Sequence, residues 1–219
     1  MTKKHKKEIP VFSGELDQDS IITNVNDGVD FKKRFILIGN ILNGSLTIPT
    51  YNLLKMDLQN HSPITLLIRS SGGEMQEGLQ FINIIKSLHS EINTIALDTC
   101  QSMALNIFCI GKKRSAFSNT LFLAHKVKLS EDSLDDEKLL KRHKEIKFEN
   151  EFLIKCISKS SNQSFEWWMK KIQKAKENDY EFNEKYAKKI GIINHEIFNE
   201  FNKFYLNEKI KKGGKNVKK

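Results

Sequence analysis

Three residues of this 219-residue chain have the types that hydrolytic chemistry needs: Ser102, His125 and Asp179. A serine hydroxyl is a weak nucleophile until an imidazole takes its proton, and a carboxylate holds that imidazole in the required tautomer. A tetrahedral intermediate also needs N–H donors for its oxyanion. The adjacent Gly72 and Gly73, in the stretch LIRSSGGEMQEGLQFI (67–82), can present backbone N–H groups where a helix opens and its dipole assists. Each residue also has a plain alternative. Ser102 precedes the apolar segment MALNIFCIG and has the type of an N-cap. His125 suits a hydrogen-bonded structural role, Asp179 suits a cap on a short helix, and Asp98 is a rival carboxylate. The glycines alone would serve tight helix–strand packing.

The elements that must position these residues alternate in type. RFILIG (34–39), ITLLIR (64–69), INTIAL (92–97) and TLFLA (120–124) read as strands, and the last stops at His125. TIPTYNLLKMDLQN lies between the first two and reads as a helix. After the glycines, Met75, Leu79, Ile82, Ile85 and Leu88 recur at three- and four-residue spacing, the mark of a helix with one apolar face. MALNIFCIG (103–111) is nearly all apolar and predicts a short buried helix beginning just after Ser102. Strands separated by helices predict an α/β architecture with a mostly parallel sheet. From about 133 to 176 the chain turns charged and helical, as a helical arm leaving the body would, with Leu139, His143, Ile146 and Leu153 near one face. Trp167 and Trp168 in this arm are expected to pack. The chain returns through DYEFN and a short helix, EKYAKKI, closes at Gly191 as at a helix C-terminus, and finishes in a strand-like GIIN.

Bulk properties exclude several classes. The net charge is +9, but residues 1–7 hold four lysines and residues 209–219 six, with no acid in either segment, so removing those ten charges leaves the body at −1. Basicity confined to the ends argues against a nucleic-acid-binding body. Cys100, Cys109 and Cys156 are odd in number and form no CxxC or His/Cys cluster, against both a disulfide framework and a zinc site. No apolar run approaches the roughly 20 residues of a membrane span, and the charged N-terminus MTKKHKKEIP is not followed by an apolar signal region. The expectation is a cytoplasmic protein.

In order along the chain, ITLLIRSSGGEMQEGLQFINII, INTIALDTCQSMALNIFCIGKKRSAFSNTLFLAH, ENDYEFNEKYAKKIGIIN and, more weakly, RFILIG resemble the ClpP family, the proteolytic subunits of ATP-dependent Clp proteases. The resemblance implies a fold of stacked ββα units, the ClpP/crotonase superfold, with a protruding helical arm. It divides the chain into an N-terminal basic or axial segment (1–30), a protease domain (31–200) and a basic tail (201–219). It makes Ser102 the nucleophile, His125 the general base and Asp179 its orienting carboxylate, with the Gly73 and Met103 N–H groups as oxyanion donors and Gly72 supporting the turn. The function implied is a serine endopeptidase that acts on peptides or unfolded proteins inside a homo- or hetero-oligomeric ring, with a possible AAA+ ATPase unfoldase as partner. This chemistry needs no metal or organic cofactor. The sequence departs from the family where Ser71 replaces the proline before the glycines, where Lys126-Val127 replaces Gln-Pro after the histidine, and in a long stretch between His125 and Asp179. Three alternatives stay open: an ATP-independent relative of the phage head-maturation or signal-peptide-peptidase kind, which the altered loops favour, a catalytically silent ring subunit, and an acyl-CoA enzyme of the crotonase kind, where a Gly-Gly turn also binds an oxyanion.

Overall fold

The structure, a computed structural model, describes residues 29–30, 32–127 and 136–197. Its strands and helices follow in the order β1 (Val29–Asp30), β2 (Phe35–Ile38), α1 (Thr47–Gln59), β3 (Ile64–Ser70), α2 (Met75–Ser87), β4 (Ile92–Gln101), α3 (Met103–Ile110), β5 (Arg114–Ala116), β6 (Leu121–Ala124), α4 (Asp136–Lys159), α5 (Phe165–Lys174), β7 (Tyr180–Asn183) and α6 (Glu184–Lys189). One sheet carries the strands in the order β1-β2-β3-β4-β6-β7, with β5 also pairing to β4. The links β2–β3, β3–β4, β4–β5 and β4–β6 are parallel, whereas β1 and β7 lie antiparallel at the edges. The expected α/β class and mostly parallel sheet are therefore present.

The central strands are apolar because helices cover them. Ile64, Leu66 and Ile68 of β3 and Ile92, Ile95 and Ala96 of β4 are buried, as parallel strands require. α3 is buried from Met103 to Cys109, so its all-round apolar composition matches its place inside the fold. α2 turns Phe81, Ile82 and Ile85 into the core, with Met75, Leu79 and Leu88 packed against its margin. The last turns of α4 contribute Leu153, Ile154 and Ile157 to the same core, whereas Lys144, Glu145 and Phe148 nearer its start are exposed. Trp168 is fully buried, donates its ring N–H to Ser161 Oγ at 2.9 Å, and meets Trp167 and Tyr180 edge-on.

Two local expectations are overturned. His143 does not share the buried face of α4 with Ile146 and Leu153; its side chain is exposed, while the side chain of Leu139 lies outside the described residues. GIIN is not a strand. Gly191 is left-handed (φ 79°), its N–H donates to Lys188 O, and the Ile192 N–H donates to Ala187 O, a double closure of α6 of the Schellman kind. The carbonyls of Gly191 and Ile192 then go to the Arg114 guanidinium, at 3.1 and 2.7 Å, instead of to a strand ladder. Of the N-terminal segment only Val29–Asp30 is described, and the tail 201–219 lies outside the described residues.

Candidate active site

Register brings the chemistry together at one edge of the sheet. β3, β4 and β6 run parallel, with Ser70 beside Cys100 and Gln101 beside Leu123, so the residues that follow them, Gly72-Gly73, Ser102 and His125, emerge side by side. β7 runs the other way, with Tyr180 opposite Ala124, which places Asp179, just before it, against His125, just after β6. The carboxyl ends of parallel strands are where open α/β sheets present their functional groups.

Ser102 Oγ lies 2.6 Å from His125 Nε2. On the other side of the ring, Nδ1 stands 3.3 Å from Asp179 Oδ1, an ion-pair distance without the alignment of a hydrogen bond. The His125 and Asp179 side chains are 27% and 30% exposed, so the site is open enough to meet a substrate. Ser102 occupies the N-cap position of α3, yet its side chain makes no capping bond. The plain capping role is therefore not what the hydroxyl does. Its backbone sits at φ 53°, ψ −124°, a conformation that costs a non-glycine residue on the order of 1–3 kcal/mol. Packing holds it there: the Ser102 N–H donates to Leu123 O at 2.8 Å, and the Leu105 N–H returns to Ser102 O at 3.0 Å.

The glycine turn is built against this serine. A Cβ on Gly72 would stand 2.7 Å from Ser102 Cβ and 2.8 Å from Gln101 O, and one on Gly73 would overlap Ile41 O. Both glycines have positive φ, 95° and 135°. Gly72 O accepts the Ile41 N–H at 2.8 Å and the Gly72 N–H donates to Ser70 Oγ at 3.0 Å, so Gly72 is spent on the turn itself. Among the described residues, no acceptor takes the N–H of Gly73 or of Met103. Where the resemblance leads to the expectation of a proline, the Ser71 N–H and hydroxyl both donate to Asn40 Oδ1 at 3.0 Å, so hydrogen bonds stiffen the turn.

The rival carboxylate is engaged elsewhere, because Asp98 Oδ2 pairs with Arg69 Nε at 2.9 Å on the surface. Some positioning groups had no signal in the sequence. Ser70 fixes the Gly72 N–H, and Asn150 of α4 accepts the Val127 N–H at 2.6 Å, tying the arm to the segment that carries His125. Next to Asp179, Glu177 and Asn178 both adopt left-handed conformations (φ 54° and 61°), a sharp turn that ordinary helix or strand periodicity does not reveal.

Comparison with known proteins agrees with this architecture. Residues 24–200 match the Clp protease family profile. The chain is similar to ATP-dependent Clp protease proteolytic subunit 3 of Synechococcus sp. (strain CC9605), 28% identical over 169 residues that cover 75% of this chain and 82% of that one. It is also similar to the ATP-dependent Clp protease proteolytic subunit of Carsonella ruddii (strain PV), 26% identical over 174 residues, 78% of this chain and 87% of that one. Among solved structures, a point mutant of ClpP1 from Listeria monocytogenes has the same fold, with a TM-score of 0.67 at 24% identity over 76% of this chain and 92% of that chain. The chain therefore belongs to the Clp protease family.

Proposed function

We propose that this chain is the proteolytic subunit of a Clp-type protease, a serine endopeptidase in which Ser102, His125 and Asp179 act in sequence. The observation that carries this is the 2.6 Å approach of Ser102 Oγ to His125 Nε2, with Asp179 on the far side of the ring. With the Nδ1 proton held on the side of the Asp179 carboxylate, Nε2 carries the lone pair that accepts a proton. Ser102 Oγ attacks the scissile carbonyl carbon and gives its proton to Nε2, and the carbonyl oxygen takes up the negative charge. The Gly73 and Met103 N–H groups receive that oxyanion. Collapse of the intermediate passes the Nε2 proton to the leaving amine. Water, deprotonated by the same nitrogen, then releases the acyl group from Ser102.

Among the alternatives, a crotonase-like acyl-CoA enzyme leaves the Ser102–His125 contact without a task, and a silent subunit leaves the strain at Ser102 without one. Relatives named as subunits of an ATP-dependent protease favour a AAA+ ATPase partner over ATP-independent action. Assembly into a ring fits α1, which is apolar on two faces: Leu53 and Met56 are buried, whereas Ile48, Tyr51 and Leu58 are exposed. The division into an axial segment, a protease domain at 31–200 and a basic tail, and a cytoplasmic setting, belong to the same proposal. No described helix is long and apolar enough to cross a membrane. The test is hydrolysis of a fluorogenic peptide by the purified chain, with its ATPase partner where one is required, beside Ser102→Ala. The proposal expects activity to fall by at least about 10⁴-fold in the variant; equal rates would refute it.

A further inference from the structure

A second cluster of reactive side chains lies at the opposite end of the sheet from Ser102. Ile64 and Ile92 begin β3 and β4, and the Ile64 N–H donates to Glu91 O, so the turn before β4 sits beside the end of α1. Asp57, in the last turns of α1, is buried and fixed. Its Oδ1 accepts the Ser90 N–H at 2.6 Å and its Oδ2 accepts the His89 N–H at 3.3 Å. Burial alone would raise the pKa of this carboxyl, but hydrogen bonding from the Ser90 side chain, the Ser90 and His89 N–H groups and His61 outweighs burial and holds it well below the usual carboxylate range. Two imidazoles then converge on it: His61 Nδ1 lies 3.5 Å from Oδ1 and His89 Nδ1 lies 3.6 Å from Oδ2, with the rings 5.0 Å apart.

All three potential donor atoms lie within 4.8 Å of one another. A tetrahedral ion with bonds of about 2.0–2.1 Å to nitrogen and oxygen spaces its ligand atoms about 3.3 Å apart. The two nitrogen–oxygen separations, 3.5 and 3.6 Å, approach that value. The side chains of His61 and His89 are 62% and 77% exposed, so they can rotate to bring the donor atoms closer together without repacking the core. Nearby, the guanidinium of Arg34 donates to Asn60 O, Ser62 O and Ser90 Oγ, which holds the end of α1 against the turn before β4. Two nitrogens and an oxygen suit zinc, cobalt or nickel, whereas magnesium and calcium prefer all-oxygen sites.

We propose that Asp57, His61 and His89 form a binding site for a divalent transition-metal ion of the zinc class, with water completing its coordination. Remote from Ser102, such an ion would clamp the end of α1 to the turn between α2 and β4 and take no part in peptide hydrolysis. The site is invisible to spacing rules, because His89 follows another helix and strand and the cluster contains no cysteine.

The test uses the full chain without an affinity tag, titrated with Zn²⁺ by calorimetry and with Co²⁺ by visible absorption. Unaltered protein is expected to bind about one Zn²⁺ per chain, and His61→Ala and His89→Ala each to weaken binding by more than about tenfold. The double variant is expected to lose the Co²⁺ absorption bands. Both histidines are exposed and their removal keeps the Ser90–Asp57 bond, so thermal melting in the absence of metal should match the unaltered chain. Failure of the unaltered chain to bind at sub-millimolar Zn²⁺, or equal binding by the double variant, would overturn the site.

Discussion

At the scale of single residues, the proposed chemistry depends on orientation more than on residue type. His125 must present Nε2 as an acceptor to Ser102, and only the carboxylate beside Nδ1 makes that tautomer the favoured one. Asp179→Asn keeps the shape and removes the charge, so we expect kcat to fall by about 10³- to 10⁴-fold with little change in KM, measured on a fluorogenic peptide. Gly73 makes a different demand. Its φ of 135° and its contact with Ile41 O leave no place for a Cβ, and the proposed mechanism assigns its N–H to the oxyanion. Gly73→Ala is expected to cost at least about 3 kcal/mol in transition-state stabilisation, read as kcat/KM, in protein that still folds by circular dichroism.

At the scale of elements, the site is a consequence of strand register. TLFLA shows its end at His125 directly in the sequence, and the apolar run after Ser102 shows α3, so two of the three residues could be located from pattern alone. Asp179 could not. It depends on an antiparallel edge strand, β7, whose sequence YEFN reads as a return segment, and on two successive left-handed residues before it. β5 was equally hidden, being three residues long, and so was its central device. Arg114 donates to Ile192 O, Gly111 O, Ser160 O and Gly191 O, joining the ends of α3, α4 and α6. That single side chain also explains why GIIN, β-branched in composition, fails to form a strand. A lysine offers a point charge and no planar fork. Arg114→Lys is expected to destabilise the fold by about 2 kcal/mol or more, measured by urea denaturation, because buried carbonyls lose their donors.

At the scale of the whole molecule, the proposed serine site would need separation from folded cellular proteins, and the proposed ring would provide it. α1 offers an apolar outer face for such an assembly, with Leu58 86% exposed and Tyr51 64% exposed. Light scattering at micromolar concentration is expected to show an oligomer, and Tyr51→Glu with Leu58→Glu to shift it toward monomer. A strict monomer in the unaltered chain would contradict ring assembly.

The most direct test of the central claim, that His125 activates Ser102, is covalent labelling with a fluorophosphonate probe, the adduct being mapped by mass spectrometry. A single adduct on Ser102 is expected, lost in Ser102→Ala and strongly slowed in His125→Ala. An adduct on another serine, or unchanged labelling of Ser102 when His125 is removed, would contradict it.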